Sequence, residues 1–249
     1  MNENRWLPSR EINTETVNIK KWTTHQILVY SSDELLKIHR AISKSLWSCE
    51  RAVNGIVRHV KKGGRVVTIG AGGSGVAGMS VMRELPQNHE ALSPHNFTYR
   101  VAGGGSIFDP LGCEELEDSF EEGRREMDAL SVNDKDVLIF ISATGRTPYT
   151  RAAALRAKER GSLTIGIVCH ESELLTEVDI PIFLDVGPEI FMGATCEMSA
   201  TAQKHTLDAI MNAVVIKLNV TNGNICRARL VHEKARTRHH FFKNHAQGS

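Results

Sequence analysis

Five short runs rich in apolar residues constrain this chain more than any other feature, because apart from residues 97–101 they do not alternate regularly with polar residues. They are Arg65-Val66-Val67-Thr68-Ile69, residues 97–101, Asp136-Val137-Leu138-Ile139-Phe140-Ile141, residues 163–168 and residues 180–184. A strand with one wet face alternates, whereas a continuous Val/Ile/Leu run is covered on both faces. Helical patterns lie between and after the runs, over residues 76–85, 114–130, 148–160, 171–177 and 201–218, with Pro148 in a first turn. Strands alternating with helices predict an α/β fold: a doubly wound, five-stranded parallel sheet flanked by helices.

Residues 1–31 read as a polar lead-in. A long amphipathic helix is expected from Ser32, with Ser31, Ser32, Asp33 and Glu34 as its starting groups. Leu36, Ile38, Ile42, Leu46, Val53, Ile56 and Val60 then recur at helical spacing up to a Lys61-Lys62-Gly63-Gly64 stop. One domain is expected over residues 32–226, followed by a basic, histidine-rich, frayed tail over 227–249.

The 249 residues carry a net charge of +1, which provides no global field for nucleic acid or a membrane surface. The apolar runs are too short for a membrane span, and the N-terminus has no signal-peptide pattern. The five cysteines (Cys49, Cys113, Cys169, Cys196 and Cys226) are scattered without a C-x-x-C pair. They read as free thiols in a reducing, cytoplasmic compartment. The histidines show no ligand spacing, so no metal site is expected.

Ligands of open parallel sheets bind beyond the carboxyl ends of the strands, where two loops stand out. Gly70-Ala71-Gly72-Gly73-Ser74-Gly75 joins the first strand to a helix, and its glycines let backbone N–H groups approach an anion. The same string fits a dinucleotide fingerprint. That reading wants an acidic residue at the end of the next strand, and Tyr99-Arg100-Val101-Ala102-Gly103 has none. The second loop, Ser142-Ala143-Thr144-Gly145-Arg146-Thr147, sets three hydroxyls around a glycine before the proline-started helix. Helix capping accounts for one hydroxyl, whereas a phosphate cradle accounts for all three.

The second loop resembles the phosphosugar signature of the sugar-isomerase (SIS) domain. Further strings occur in the order seen in N-acetylmuramic acid 6-phosphate etherases: Ala71-Gly72-Gly73-Ser74-Gly75, Glu84-Leu85-Pro86, Glu114-Glu115-Leu116-Glu117-Asp118-Ser119, Gly145-Arg146-Thr147-Pro148-Tyr149, Val186-Gly187-Pro188-Glu189 and Thr201-Ala202-Gln203-Lys204. The glucokinase regulatory protein of vertebrates is a more distant relative of that family. The resemblance implies a lyase that opens the sugar ring, removes the C2 proton, expels D-lactate from C3 and then adds water, with no metal or redox cofactor required. It matches Glu84 and Glu117 to the acid and base. It matches Gly72, Gly73, Ser74, Ser142, Ala143, Thr144, Gly145, Thr147, Glu189 and Lys204 to phosphate and sugar binding. A homodimer with the site near the subunit interface is also implied. Without the resemblance, Glu84 reads as a surface helix residue and Glu117 as one acid in an acidic run.

The chain also departs from the family. Gly73 stands where threonine is usual, Val76 where arginine is, and Cys196 and Met198 where an arginine and a lysine are. The helical domain that follows in the family has no counterpart in residues 232–249. Two alternatives therefore stay open, an aldose–ketose phosphosugar isomerase and a non-catalytic phosphosugar sensor.

Overall fold

A computed structural model of the chain describes residues 12–104, 114–193, 197–221, 223–226 and 233–245. The expectations that fall on Gly105, Cys113 and Cys196 lie outside these residues. The elements run α1 (Thr24–Val60), β1 (Val66–Gly70), α2 (Gly72–Asn88), β2 (Phe97–Val101), α3 (Glu114–Glu117), α4 (Phe120–Ala129), β3 (Val137–Ser142), α5 (Pro148–Glu159), β4 (Leu163–Val168), α6 (Leu174–Glu177), β5 (Ile180–Phe183), α7 (Met198–Lys217) and α8 (Glu233–His245).

The five strands form one parallel sheet in the order β2-β1-β3-β4-β5. All residues of β1 and β3 are buried, the physical origin of their unbroken apolar runs. One cluster joins Val66, Ile139, Ile141, Ile165 and Ile167 to α1, α2 and α7. The other joins Val67, Ile69, Leu138 and Phe140 to Met127 of α4, Ala153 and Ala157 of α5, and Leu174 of α6. At the opposite end of the sheet from the carboxyl termini, the buried Asp136 receives Arg65 Nε at 3.0 Å and the backbone N–H groups of Arg65 and Asn133.

Three local expectations are corrected. Helix α1 begins at Thr24, eight residues before Ser32, because Thr23 and Gln26 form a capping box. The helix read over 114–130 is two, since the Ser119 hydroxyl accepts from Glu122 N and restarts it as α4. The tail is not frayed throughout, because residues 233–245 are helical. Residues before α1 are tied to the body: Asn13 Nδ2 donates to Glu189 O at 3.0 Å, and the Thr16 hydroxyl to Ile190 O at 2.9 Å.

Candidate active site at the β1 and β3 strand ends

Register places Gly70 of β1 beside Ile141 of β3, so the two loops read from the sequence leave the sheet side by side. From there α2 packs on one face and α5 on the other. This is the point where the strand order reverses, the expected ligand crevice of such a sheet.

Both helices that start here lack a side-chain cap, whereas α1 and α4 each have one. Ala71 at the α2 start has no capping group. Thr147 at the α5 start has a hydroxyl, but it lies 3.0 Å from Ser142 Oγ and makes no cap bond. Ser142 Oγ also accepts from Gly145 N, and Thr144 Oγ1 accepts from Arg146 N. The hydroxyls thus hold the loop in shape, and neither helix start is capped by the side chain of its own N-cap residue, an arrangement that suits an anion. Gly145 is required twice over: its φ is +65°, and a Cβ there would sit 1.9 Å from Ser172 Oγ. Ala143 is buried beneath the loop, and its carbonyl accepts from Cys169 N.

Glu117, the last residue of α3, brings its carboxylate to the start of α2. A Cβ on Gly72 would lie 2.8 Å from Glu117 Oε1, so the bare glycine at φ +49° admits the carboxylate. Gly73 is open on its outer side. Ser74 Oγ donates to Oε1 of the fully buried Gln203 at 2.9 Å, which locks α2 to α7. Gln203 was missed in the sequence although it lies in the Thr201–Lys204 string. A glutamine in an apolar helix carries no mark of its own until the fold shows what it reaches.

The other expected residues are placed differently. Glu84 is exposed on α2, twelve residues or about 18 Å along the helix from Gly72. One chain therefore does not bring Glu84 and Glu117 together through α2. Lys204 lies across a groove of about 520 Å³ from Gly73, Val76 and Ser80, and pairs with Asp208 at 2.8 Å. Glu189 is buried and both its oxygens are engaged: Oε2 accepts from Met198 N at 2.8 Å and Oε1 from Ser199 N at 2.9 Å. It caps α7 from outside the helix. Met198 is packed in the core and does not face the crevice, whereas Val76 lines the groove. Behind the crevice, burial pushes the Cys169 thiol up to about 12, which leaves it protonated and inert.

The family model described as the SIS domain matches residues 30–169. An N-acetylmuramic acid 6-phosphate etherase of Caldanaerobacter subterraneus subsp. tengcongensis is 37% identical over 214 residues, covering 86% of this chain and 69% of the relative. The etherase of the same name from Bacillus subtilis is 33% identical over 220 residues, covering 88% and 72%. Among solved structures, a phosphoheptose isomerase from Francisella tularensis superposes with a TM-score of 0.59 at 16% identity, covering 78% of this chain and 98% of that one. That likeness bears on the fold, which is the one read from the strand runs. The sequence likeness bears on descent: this chain belongs to the N-acetylmuramic acid 6-phosphate etherase family, on a SIS-domain fold.

Proposed function

We propose that the chain is a carbon–oxygen lyase acting on a 6-phosphosugar, with N-acetylmuramic acid 6-phosphate as the reference substrate. The observation that carries this reading is the Glu117 carboxylate against Gly72, beside two helix starts whose N-cap residues make no side-chain cap bond. The phosphate is held by first-turn N–H groups of α2 and α5 and by hydroxyls of Ser142, Thr144 and Thr147, with both helix dipoles favouring its charge. The ring-opened sugar then extends toward Glu117. A C2 proton beside the aldehyde is acidic enough for a positioned carboxylate, and Glu117 takes it. The C3–O bond breaks as the ether oxygen receives a proton, and water adds to the resulting double bond.

The proton donor is Glu84 of a second copy, because twelve residues of helix separate Glu84 from the crevice of its own chain. A homodimer with the site at its interface follows from that requirement. Among the described residues no helix is long and apolar enough to cross a membrane. With its scattered cysteines, the chain fits a reducing, cytoplasmic setting.

The test is D-lactate release from N-acetylmuramic acid 6-phosphate. Glu117→Gln and Glu84→Gln each abolish release and retain phosphosugar binding. Mixing the two inactive variants restores about a quarter of wild-type activity, since half of randomly paired dimers hold one intact site of two. Release that survives Glu117→Gln overturns the reading, and failure to complement overturns donation of Glu84 in trans. An isomerase would give a ketose phosphate without lactate.

A further inference from the structure

The Ser74 hydroxyl has a single proton, and in this structure that proton is spent inward. Ser74 is the third residue of α2, half-buried at the start of the helix, and its Oγ donates to Gln203 Oε1 at 2.9 Å. Gln203 is fully buried on α7. Its Nε2, which carries two N–H donors, has no hydrogen-bond partner among the described residues. Ser199 and Thr206 lie one turn to either side of it on the same face of α7 and are as deeply buried, yet their hydroxyls make no bond to the amide.

Two costs meet at this contact. Orphaned buried N–H groups are rare in native proteins, whereas an under-used carbonyl is met more often. A phosphate dianion accepts and does not donate, so a Ser74 whose proton points inward meets phosphate oxygens with lone pairs alone. One half-turn about the last side-chain bond of Gln203 removes both costs. It puts Nε2 where Oε1 now lies, 2.9 Å from Ser74 Oγ, and the amide then donates to the serine. Ser74 is left with a proton to give to the phosphate. The bond joins a tetrahedral carbon to a planar one, its two wells are broad, and the two ends of the amide are close in size. The buried side chain therefore turns without displacing its neighbours. Residue type matters here: an ionised glutamate of the same shape only accepts, and a methionine does neither. An amide braces the hydroxyl in both directions.

From this we infer that Gln203 is a positioning residue for phosphate binding. Its amide accepts from Ser74 in one orientation and donates to Ser74 in the other, and phosphate selects the second. Gln203 itself does not touch the sugar; it sets which way the Ser74 proton points. The inference rests on phosphate binding at the start of α2, as proposed above.

NMR of the full chain labelled with heavy nitrogen at the glutamine side chains tests the turnover. The chain has four glutamines, Gln26, Gln87, Gln203 and Gln247, and the Gln203 signal is the one lost in Gln203→Met. Titration with N-acetylglucosamine 6-phosphate, the sugar left once lactate has gone and water has added, moves the Gln203 amide protons downfield, as donors that gain an acceptor do. Unphosphorylated N-acetylglucosamine leaves them in place, and so does the phosphosugar in Ser74→Ala. In calorimetric titration Ser74→Ala weakens phosphosugar binding by about ten- to a hundredfold, the loss of one hydrogen bond to a charged group. Gln203→Met weakens it by about two- to tenfold, the loss of a neutral one, and adds nothing further to Ser74→Ala. Circular dichroism confirms that the variants fold, and the wild-type titration stands without them. A Gln203 signal unmoved at saturating phosphosugar overturns the inference and leaves the phosphate reading intact, as does undiminished affinity in Gln203→Met. A shift that persists in Ser74→Ala, or that the unphosphorylated sugar also gives, overturns it too. A wild-type chain that binds no phosphosugar overturns both.

Discussion

Replacing Glu189 separates a residue that binds sugar from one that holds a helix in place. Its two carboxylate oxygens accept from Met198 N and Ser199 N, the first donors of α7, and it is buried. Hydrogen bonds to a charged acceptor contribute about 1.5–3 kcal/mol each, and truncation also orphans two buried N–H groups. Against this stands the desolvation of the carboxylate in the native protein, so Glu189→Ala costs about 3–5 kcal/mol. Glu189→Gln keeps one acceptor oxygen but turns an amide toward the second N–H and removes the charge at the α7 start, which costs roughly half as much. A chain of this size moves its melting midpoint by about 2–4 °C per kcal/mol, so alanine lowers it by roughly 6–20 °C, with glutamine between. Thermal unfolding by circular dichroism, with phosphosugar titration well below the midpoint, checks this. A midpoint lowered by less than about 2 °C together with lost phosphosugar binding would refute the capping role and return Glu189 to the substrate.

Gly145→Ala is expected to lose about 2–5 kcal/mol, combining left-handed strain with the clash on Ser172. In a Ser172→Gly background the main clash is gone, leaving a tight 3.2 Å approach to Val168 Cγ1 and about 1–2 kcal/mol of strain, so an equal cost in both backgrounds in urea unfolding would sink the account. Burial pushes the Asp136 carboxyl up, but Arg65 and the backbone N–H groups override it and hold the carboxyl below the usual aspartate range. Its folded value is thus below its unfolded one, and its contribution is complete above about pH 4 and lost as pH falls through the folded value. Asp136→Asn costs about 3–5 kcal/mol at neutral pH, and the gap to wild type narrows in acid; a gap constant with pH contradicts the assignment.

The fold was legible because β1 and β3 are buried on both faces, so burial wrote itself into the sequence as unbroken apolar runs. The two loops were legible for a related reason, since glycines and hydroxyls between a strand and a helix have few other uses. The start of α1 is also written in the sequence, as Thr23-x-x-Gln26, but Ser31-Ser32 is the more conspicuous capping signal. Tertiary structure decided what depends on partners distant in the chain. Leu36 and Leu46 share helical spacing with Ile38 and Ile56, yet the first two point to solvent and the last two into the core, because α7 and β5 cover only one side of α1. Glu117 and Glu189 are both acids in strings shared with one family, but their surroundings give them different tasks. One reaches the start of α2 across a glycine, and the other is consumed by the start of α7. Local pattern records how much of a residue is buried; which atoms it meets is set by strand order and register, and those exist only in the folded chain.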